Sequence, residues 1–168
     1  MKKKWLVLLS FGAGVLFTLL LPLVVLATGM INVGADTEPG YVERRLGPWA
    51  RDRSVTQHAP KQKNPFGDPA SIAAGLVHYR DNCLMCHGAP DIDGAALSKG
   101  LNPSAPALDM DDDGRPEGEL FWVIKHGLRM TPMPAFGPTY SDEEIWKLAA
   151  FVHHLPDLTD QEKASLKK

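Results

Sequence analysis

The chain has 168 residues, 44% of them apolar, and a formal charge of −2, enough for one ordinary folded domain and too little for two large ones. A single uncharged stretch, Trp5 to Ala35, excludes a polytopic membrane protein, and the apolar periodicity of the C-terminal half excludes wholesale disorder. Two cysteines exclude a disulfide-rich scaffold, and six basic against fourteen acidic side chains over residues 66–158, a net −8, exclude nucleic acid as a partner.

At about 1.5 Å per residue, Leu6 to Ile31 exceeds the roughly twenty helical residues that cross a hydrocarbon core. Lys2, Lys3 and Lys4 hold the preceding end in the cytoplasm. Residues 1–35 are therefore expected to be a single N-terminal transmembrane helix that carries the rest of the chain on the far side. A signal peptide cleaved after Val25-Leu26-Ala27 is the alternative, although signal-peptide apolar regions are shorter, about 7 to 15 residues. Either way the domain is exported. Residues 36–65 show no sustained period and are punctuated by Pro39-Gly40, Gly47-Pro48, Pro60 and Asn64-Pro65. They are expected to be a Pro/Gly-rich tether spanning on the order of 30 Å. A short interfacial helix over 41–49, with Arg44 and Arg45, is the lesser alternative, because the two Gly-Pro signals interrupt it.

The folded unit is expected over 66–158, followed by a charged tail over 159–168. Asp68 is an N-cap, Pro69 fits the first helical position, and Ile72, Gly75, Leu76 and Tyr79 recur at helical spacing up to Asp81. A second helix begins near Pro116, carries Leu120, Phe121, Val123 and Ile124, and stops at Gly127. In the third, Ser141 and Glu144 form a capping box, Ile145, Leu148, Ala149 and Val152 form a stripe, and Pro156 follows the end. No run of alternating β-branched residues appears, so the unit is all-α with long loops. Three short helices cannot enclose much apolar area alone, and a large apolar cofactor would supply the missing core.

Both cysteines fall in Cys83-Leu84-Met85-Cys86-His87, the pattern for covalent c-type haem attachment. Two thiols three positions apart can each form a thioether to one vinyl group of the same porphyrin, and the adjacent His87 can serve as an axial ligand through its neutral imidazole. A zinc site would want four ligands, usually two such pairs; a thioredoxin-like dithiol would sit in a βαβ unit; a structural disulfide would close a very small loop. One covalent haem c is the cofactor expected. For the sixth position, Met133 supplies a soft thioether in a loop restricted by Pro132 and Pro134, and Met130 is its rival. Without the haem motif either methionine would be read as core filler. His126, His153 and His154 close helices, where a cation suits the dipole, and His78 and His58 read as surface residues. Asp109, Asp111, Asp113 and Gly114 match half of a calcium loop, but the twelfth position is Leu120 rather than Glu, so a solvated turn is expected.

From about Asp68 to Pro156 the sequence resembles a class I cytochrome c domain of the kind carried by membrane-anchored bacterial monohaem cytochromes. The resemblance rests on Cys83 to Gly88, on Gly127 to Phe136, and on Glu144 to Val152. It implies a cytochrome c fold of three main helices and long loops around one haem. It also implies a close crossing of the first and last helices, with Gly75 and Tyr79 meeting Leu148 and Phe151. A loop proline, Pro103 or Pro106, would orient the axial His87.

With His87 and Met133 both bound, iron has no free position, and one-electron transfer is the chemistry left. The expected function is a membrane-tethered shuttle, not an enzyme, on the periplasmic side of the bacterial membrane, accepting an electron from a membrane or exported donor and passing it to an acceptor such as a terminal oxidase. The acidic domain implies partners with a basic docking surface. The alternatives are a subunit of a larger oxidase or dehydrogenase, and a haem enzyme or gas sensor with a displaceable sixth ligand.

Overall fold

The computed structural model describes residues 2–108 and 115–167, so the calcium-like turn Asp109 to Gly114 lies outside the described residues. The chain divides into two compact units, Met1–Thr37 and Glu38–Lys168. The first is built on α1, Lys2–Ala27, in which residues 3–27 are long and apolar enough to cross a membrane, with Pro22 inside the helix. The hydroxyls of Ser10 and Thr18 donate to the carbonyls of Leu6 and Gly14, four residues back, which satisfies them within the helix itself.

The second unit is all-α among its described residues, apart from an isolated bridge between Ala89 and Ile92. The three expected helices are present as α3 (Pro69–Asn82), α5 (Glu117–His126) and α6 (Asp142–His154). Their ends follow the local chemistry. Asp68 accepts from the amides of Ala70 and Ser71, each at 3.1 Å; Ser141 and Glu144 close a reciprocal capping box; Gly127 ends α5 at a φ of 64°. A single turn, α4 (Leu84–His87), follows α3, and a 3₁₀ segment spans Ala96–Gly100.

The core lies where α6 meets α3 on one side and α5 on the other. Tyr79 packs on Phe151 with ring centroids 5.3 Å apart, and Phe121 stacks on Trp146 at 4.2 Å. Ile145, Leu148, Phe151 and Leu155 are fully buried along one stripe of α6 and its continuation, the side-chain pattern that an amphipathic helix presents to a core. The crossing with α3 depends on Gly75. A methyl group there would collide with the Lys147 carbonyl oxygen and come within 2.8 Å of Phe151 Cβ.

Two segments depart from the sequence expectations. Residues 41–58, expected to be part of a coil, form the eighteen-residue helix α2 (Tyr41–His58) with Pro48 inside it. Tertiary contact overrides the breaker: Val55 and Ala59 are buried, Gly118 at the start of α5 lies so close to the Pro60 carbonyl that no side chain would fit, and Asn64 donates to the Trp146 carbonyl at 2.9 Å. Residues 160–166, expected to lie in a charged tail, form α7 (Asp160–Leu166). Thr159 and Glu162 make its capping box, Leu166 is buried, and Lys163 pairs with Asp91 at 2.8 Å.

Candidate haem site

The site begins where α3 ends. The amides of Cys86 and His87 both donate to the Cys83 carbonyl, at 3.0 and 2.9 Å, so the chain completes one helical turn. Residues 83, 86 and 87 then stand at i, i+3 and i+4 on a shared face. The turn is anchored from behind, because the buried Tyr79 hydroxyl donates to the Gly88 carbonyl at 2.6 Å. Gly88 itself sits at a φ of 66°, and a Cβ on it would lie 2.6 Å from the Ile92 carbonyl oxygen. The chain can reverse this sharply only because that residue is glycine.

Both cysteines are unpaired with each other. Burial pushes the Cys83 thiol up to about 12, and the neighbouring Cys86 adds to the effect. Such surroundings disfavour a thiolate, the form in which cysteine binds zinc, and suit an uncharged thioether. Among the described residues, no group of three or more His, Cys, Asp or Glu side chains is placed to hold a metal ion on its own.

His87 Nδ1 lies 2.8 Å from the Pro106 carbonyl oxygen. A carbonyl only accepts, so Nδ1 carries the proton and Nε2 keeps its lone pair for a metal. Of the two prolines considered for this role, the bond is made by Pro106.

The methionine loop is held just as closely. Gly127 has a φ of 64°, and its α-carbon lies so near the Pro134–Ala135 backbone that a Cβ would come within 2.6 Å. The Phe136 and Gly137 amides donate to the carbonyls of Ile124 and Lys125 at the end of α5, at 3.1 and 2.9 Å. Thr131 donates its hydroxyl to the Leu128 carbonyl at 2.7 Å and accepts from the Met133 amide at 3.2 Å. Within this frame Met133 is half-buried against the core, whereas Met130, at a φ of 63°, is 90% exposed.

The remaining histidines sit in other surroundings. His78 packs edge-on against Tyr140, His58 and His126 flank Trp122, His154 lies 3.3 Å from Glu162, and His153 is exposed. Half-buried Leu84, Ile92, Leu108, Leu120 and Phe136 extend the apolar surface beyond the core. The donor set therefore fits haem c: two uncharged sulfurs, an imidazole with one free nitrogen, a shielded thioether and apolar walls. Spacing alone does not mark the supporting roles of Tyr79, Thr131 and Gly127. The signals available are a tyrosine four positions before the first cysteine and a glycine closing the helix before the methionine loop.

Residues 70–152 match the family described as cytochrome c oxidase, cbb3-type, subunit III. The match places a cytochrome c domain over residues 70–152, just under half of the chain. The matched domain is one that fits a haem c cofactor. Among curated relatives, the chain is 32% identical over 109 residues to the cbb3-type cytochrome c oxidase subunit FixP of Sinorhizobium medicae, covering 58% of this chain and 35% of that protein. It is 30% identical over 133 residues to the CcoP subunit of an Azospirillum species, covering 76% and 40%. The chain thus spans well under half the length of these relatives. A solved structure, cytochrome cL from Methylophaga aminisulfidivorans, aligns with 22% identity and a TM-score of 0.43, covering 79% of this chain and 83% of that one. An apolar helix over residues 3–27, long and apolar enough to cross a membrane, precedes the cytochrome domain in the chain.

Proposed function

We propose that the protein is a membrane-anchored monohaem electron carrier, not itself a catalyst, with Cys83 and Cys86 as thioether attachments and His87 and Met133 as axial ligands. Residues 1–35 act as the anchor and 66–158 as the haem domain. The observation that carries the reading is the hydrogen bond from His87 Nδ1 to the Pro106 carbonyl, which directs Nε2 away from the backbone as a free donor atom.

Haem c, when bound, supplies a one-electron iron couple. The chain does the rest. Pro106 fixes the tautomer and orientation of His87, while Thr131 and the two amide bonds to the end of α5 fix the loop that presents Met133. A half-buried thioether and apolar neighbours favour the less charged reduced state, and two protein ligands leave no position for substrate. The net −8 of residues 66–158 selects partners with a basic docking surface.

Visible spectroscopy of a Met133→Ala variant tests the ligand set. The variant should keep its covalent haem, become high-spin and bind carbon monoxide when reduced, while Met130→Ala should match the wild type. An unchanged Met133→Ala spectrum would hand the sixth position to Met130 or a histidine, and rapid carbon monoxide binding by the wild type would favour a sensor or enzyme instead. The match to an oxidase subunit family favours a second reading, a stoichiometric subunit of a terminal oxidase. Copurification of an oxidase in fixed ratio from detergent would establish it.

A further inference from the structure

The helix α2 carries an apolar stripe that the cytochrome domain does not use. Val42, Leu46 and Trp49 stand at i, i+4 and i+7 and are 65%, 57% and 62% exposed. At about 100° per residue, they lie roughly 120° to 180° around the helix from Val55, the residue buried against the folded unit. The stripe therefore faces away from that unit. Arg53 falls within the same arc and Arg45 beside it, its guanidinium 5.7 Å above the Tyr41 ring. Among the described residues Arg44, Arg45 and Arg53 make no ion pair, whereas Asp52 is engaged by Arg51 and Arg115.

We propose that this face of α2 lies in the membrane interface, with Val42, Leu46 and Trp49 among the acyl-chain boundary and Arg45 and Arg53 against anionic lipid headgroups. Three observations select a bilayer as the occupant. Only residues 28–40 separate α1 from α2, a reach of at most about 45 Å, so the first half of α2 is tethered within reach of the surface that an anchoring α1 would cross. The helix has four arginines against Glu43 and Asp52, opposite in sign to the −8 of residues 66–158, so an anionic surface attracts α2 and repels the haem domain. Three side chains offer about 500 Å² at most, too little for a lasting protein interface but sufficient for a helix already confined to the membrane by its anchor. Tryptophan and arginine around aliphatic residues are the side chains suited to that interface.

The inference rests on membrane anchoring and is independent of the haem ligands. The test uses the full-length, reduced holoprotein in vesicles of phosphatidylcholine with one third phosphatidylglycerol. A nitroxide is placed on Leu46→Cys, on Ser54→Cys at the flank of α2, or on Leu16→Cys in α1. Power saturation with oxygen and a water-soluble nickel chelate then reports depth. The oxygen-to-nickel collision ratio should be several-fold higher at Leu46→Cys than at Ser54→Cys, equivalent to a depth of about 5–10 Å. It should fall back when Arg45→Gln and Arg53→Gln are added. Equal ratios at the two α2 sites, with Leu16→Cys reading the bilayer core, would overturn the inference and leave the anchor intact. A water-exposed Leu16→Cys would remove both. Shielding of Leu46→Cys only after an oxidase is added would assign the stripe to a protein partner and refute the lipid contact, and indifference to the arginine substitutions would refute the headgroup contact.

Discussion

Replacing Gly75 by alanine separates two opposed effects whose sizes can be worked out. Alanine in place of glycine inside α3 gains about 1 kcal/mol of helix propensity. Against this, the new Cβ would stand 2.8 Å from Phe151 Cβ and 2.9 Å from the Lys147 carbonyl carbon, and it would overlap that carbonyl's oxygen. The main obstacle is helix backbone, which cannot rotate aside as a side-chain tip can, so α3 and α6 must separate. Overpacking of this kind costs about 1–3 kcal/mol, and here the upper end applies because the contact holds the principal helix crossing. The expected net loss is about 1–2 kcal/mol. At roughly 4 °C per kcal/mol for a domain of this size, Tm should fall by about 4–8 °C. Thermal unfolding of the detergent-solubilised holoprotein, followed by near-ultraviolet dichroism, measures it. Gly100→Ala, where nothing lies within 4 Å of the new Cβ, is the control and should stay within about 0.5 kcal/mol. A Gly75→Ala protein as stable as the wild type would refute the close-crossing account.

Tyr79→Phe leaves the buried Gly88 carbonyl without its 2.6 Å donor and should cost about 1–3 kcal/mol in urea denaturation; an unchanged midpoint would show that the turn is held by other contacts. The docking of α7 should be bounded by pH. Asp91 is depressed by the hydrogen bond and charge of Lys163, and Glu162 by the Thr159 hydroxyl, so their contributions are complete above the ordinary carboxylate range near 4 and are lost as pH falls through the lowered values. Lys163 is raised by Asp91, so its contribution is present below about 10.4 and is lost as pH climbs through the raised value. Amide exchange over 160–166, corrected for intrinsic rates, should accelerate on acidification below about pH 4, and constant protection would contradict the clamp. Raising ionic strength beyond about 0.15 M, where screening acts over about 8 Å, should slow electron exchange with a basic partner; a flat dependence would remove the acidic docking surface.

The elements read correctly from the sequence are those whose determinants are local. Asp68 with Pro69 and Ser141 with Glu144 mark helix starts by their own hydrogen bonds, and Gly127 marks a stop, so α3, α5 and α6 are legible within a residue or two. The attachment motif is equally local. What stayed hidden depends on residues far apart in the chain. In α2 the stretch is polar and interrupted by Pro48, and it is secured by Val55, Ala59 and Asn64 meeting elements more than fifty residues away. α7 lies in a stretch that reads as a charged tail, and the value of its Thr159–Glu162 box depends on Leu166 reaching the core and Lys163 reaching Asp91. At the site, residue types point to His87 and Met133, but only the fold shows which proline faces the imidazole and which methionine turns outward.

The packing of the Pro60–Asn64 segment on α5 and α6 shortens the leash. Thirty residues of free coil would let the start of the folded unit sample a sphere of about 30 Å, whereas residues 28–40, which end where that unit now begins at α2, give a root-mean-square span near 20 Å. The accessible volume shrinks about threefold, and the effective concentration presented to any partner held in the same membrane would rise by the same factor. On the proposed anchored reading, encounter with partners in the same membrane is thereby favoured over reach to distant ones.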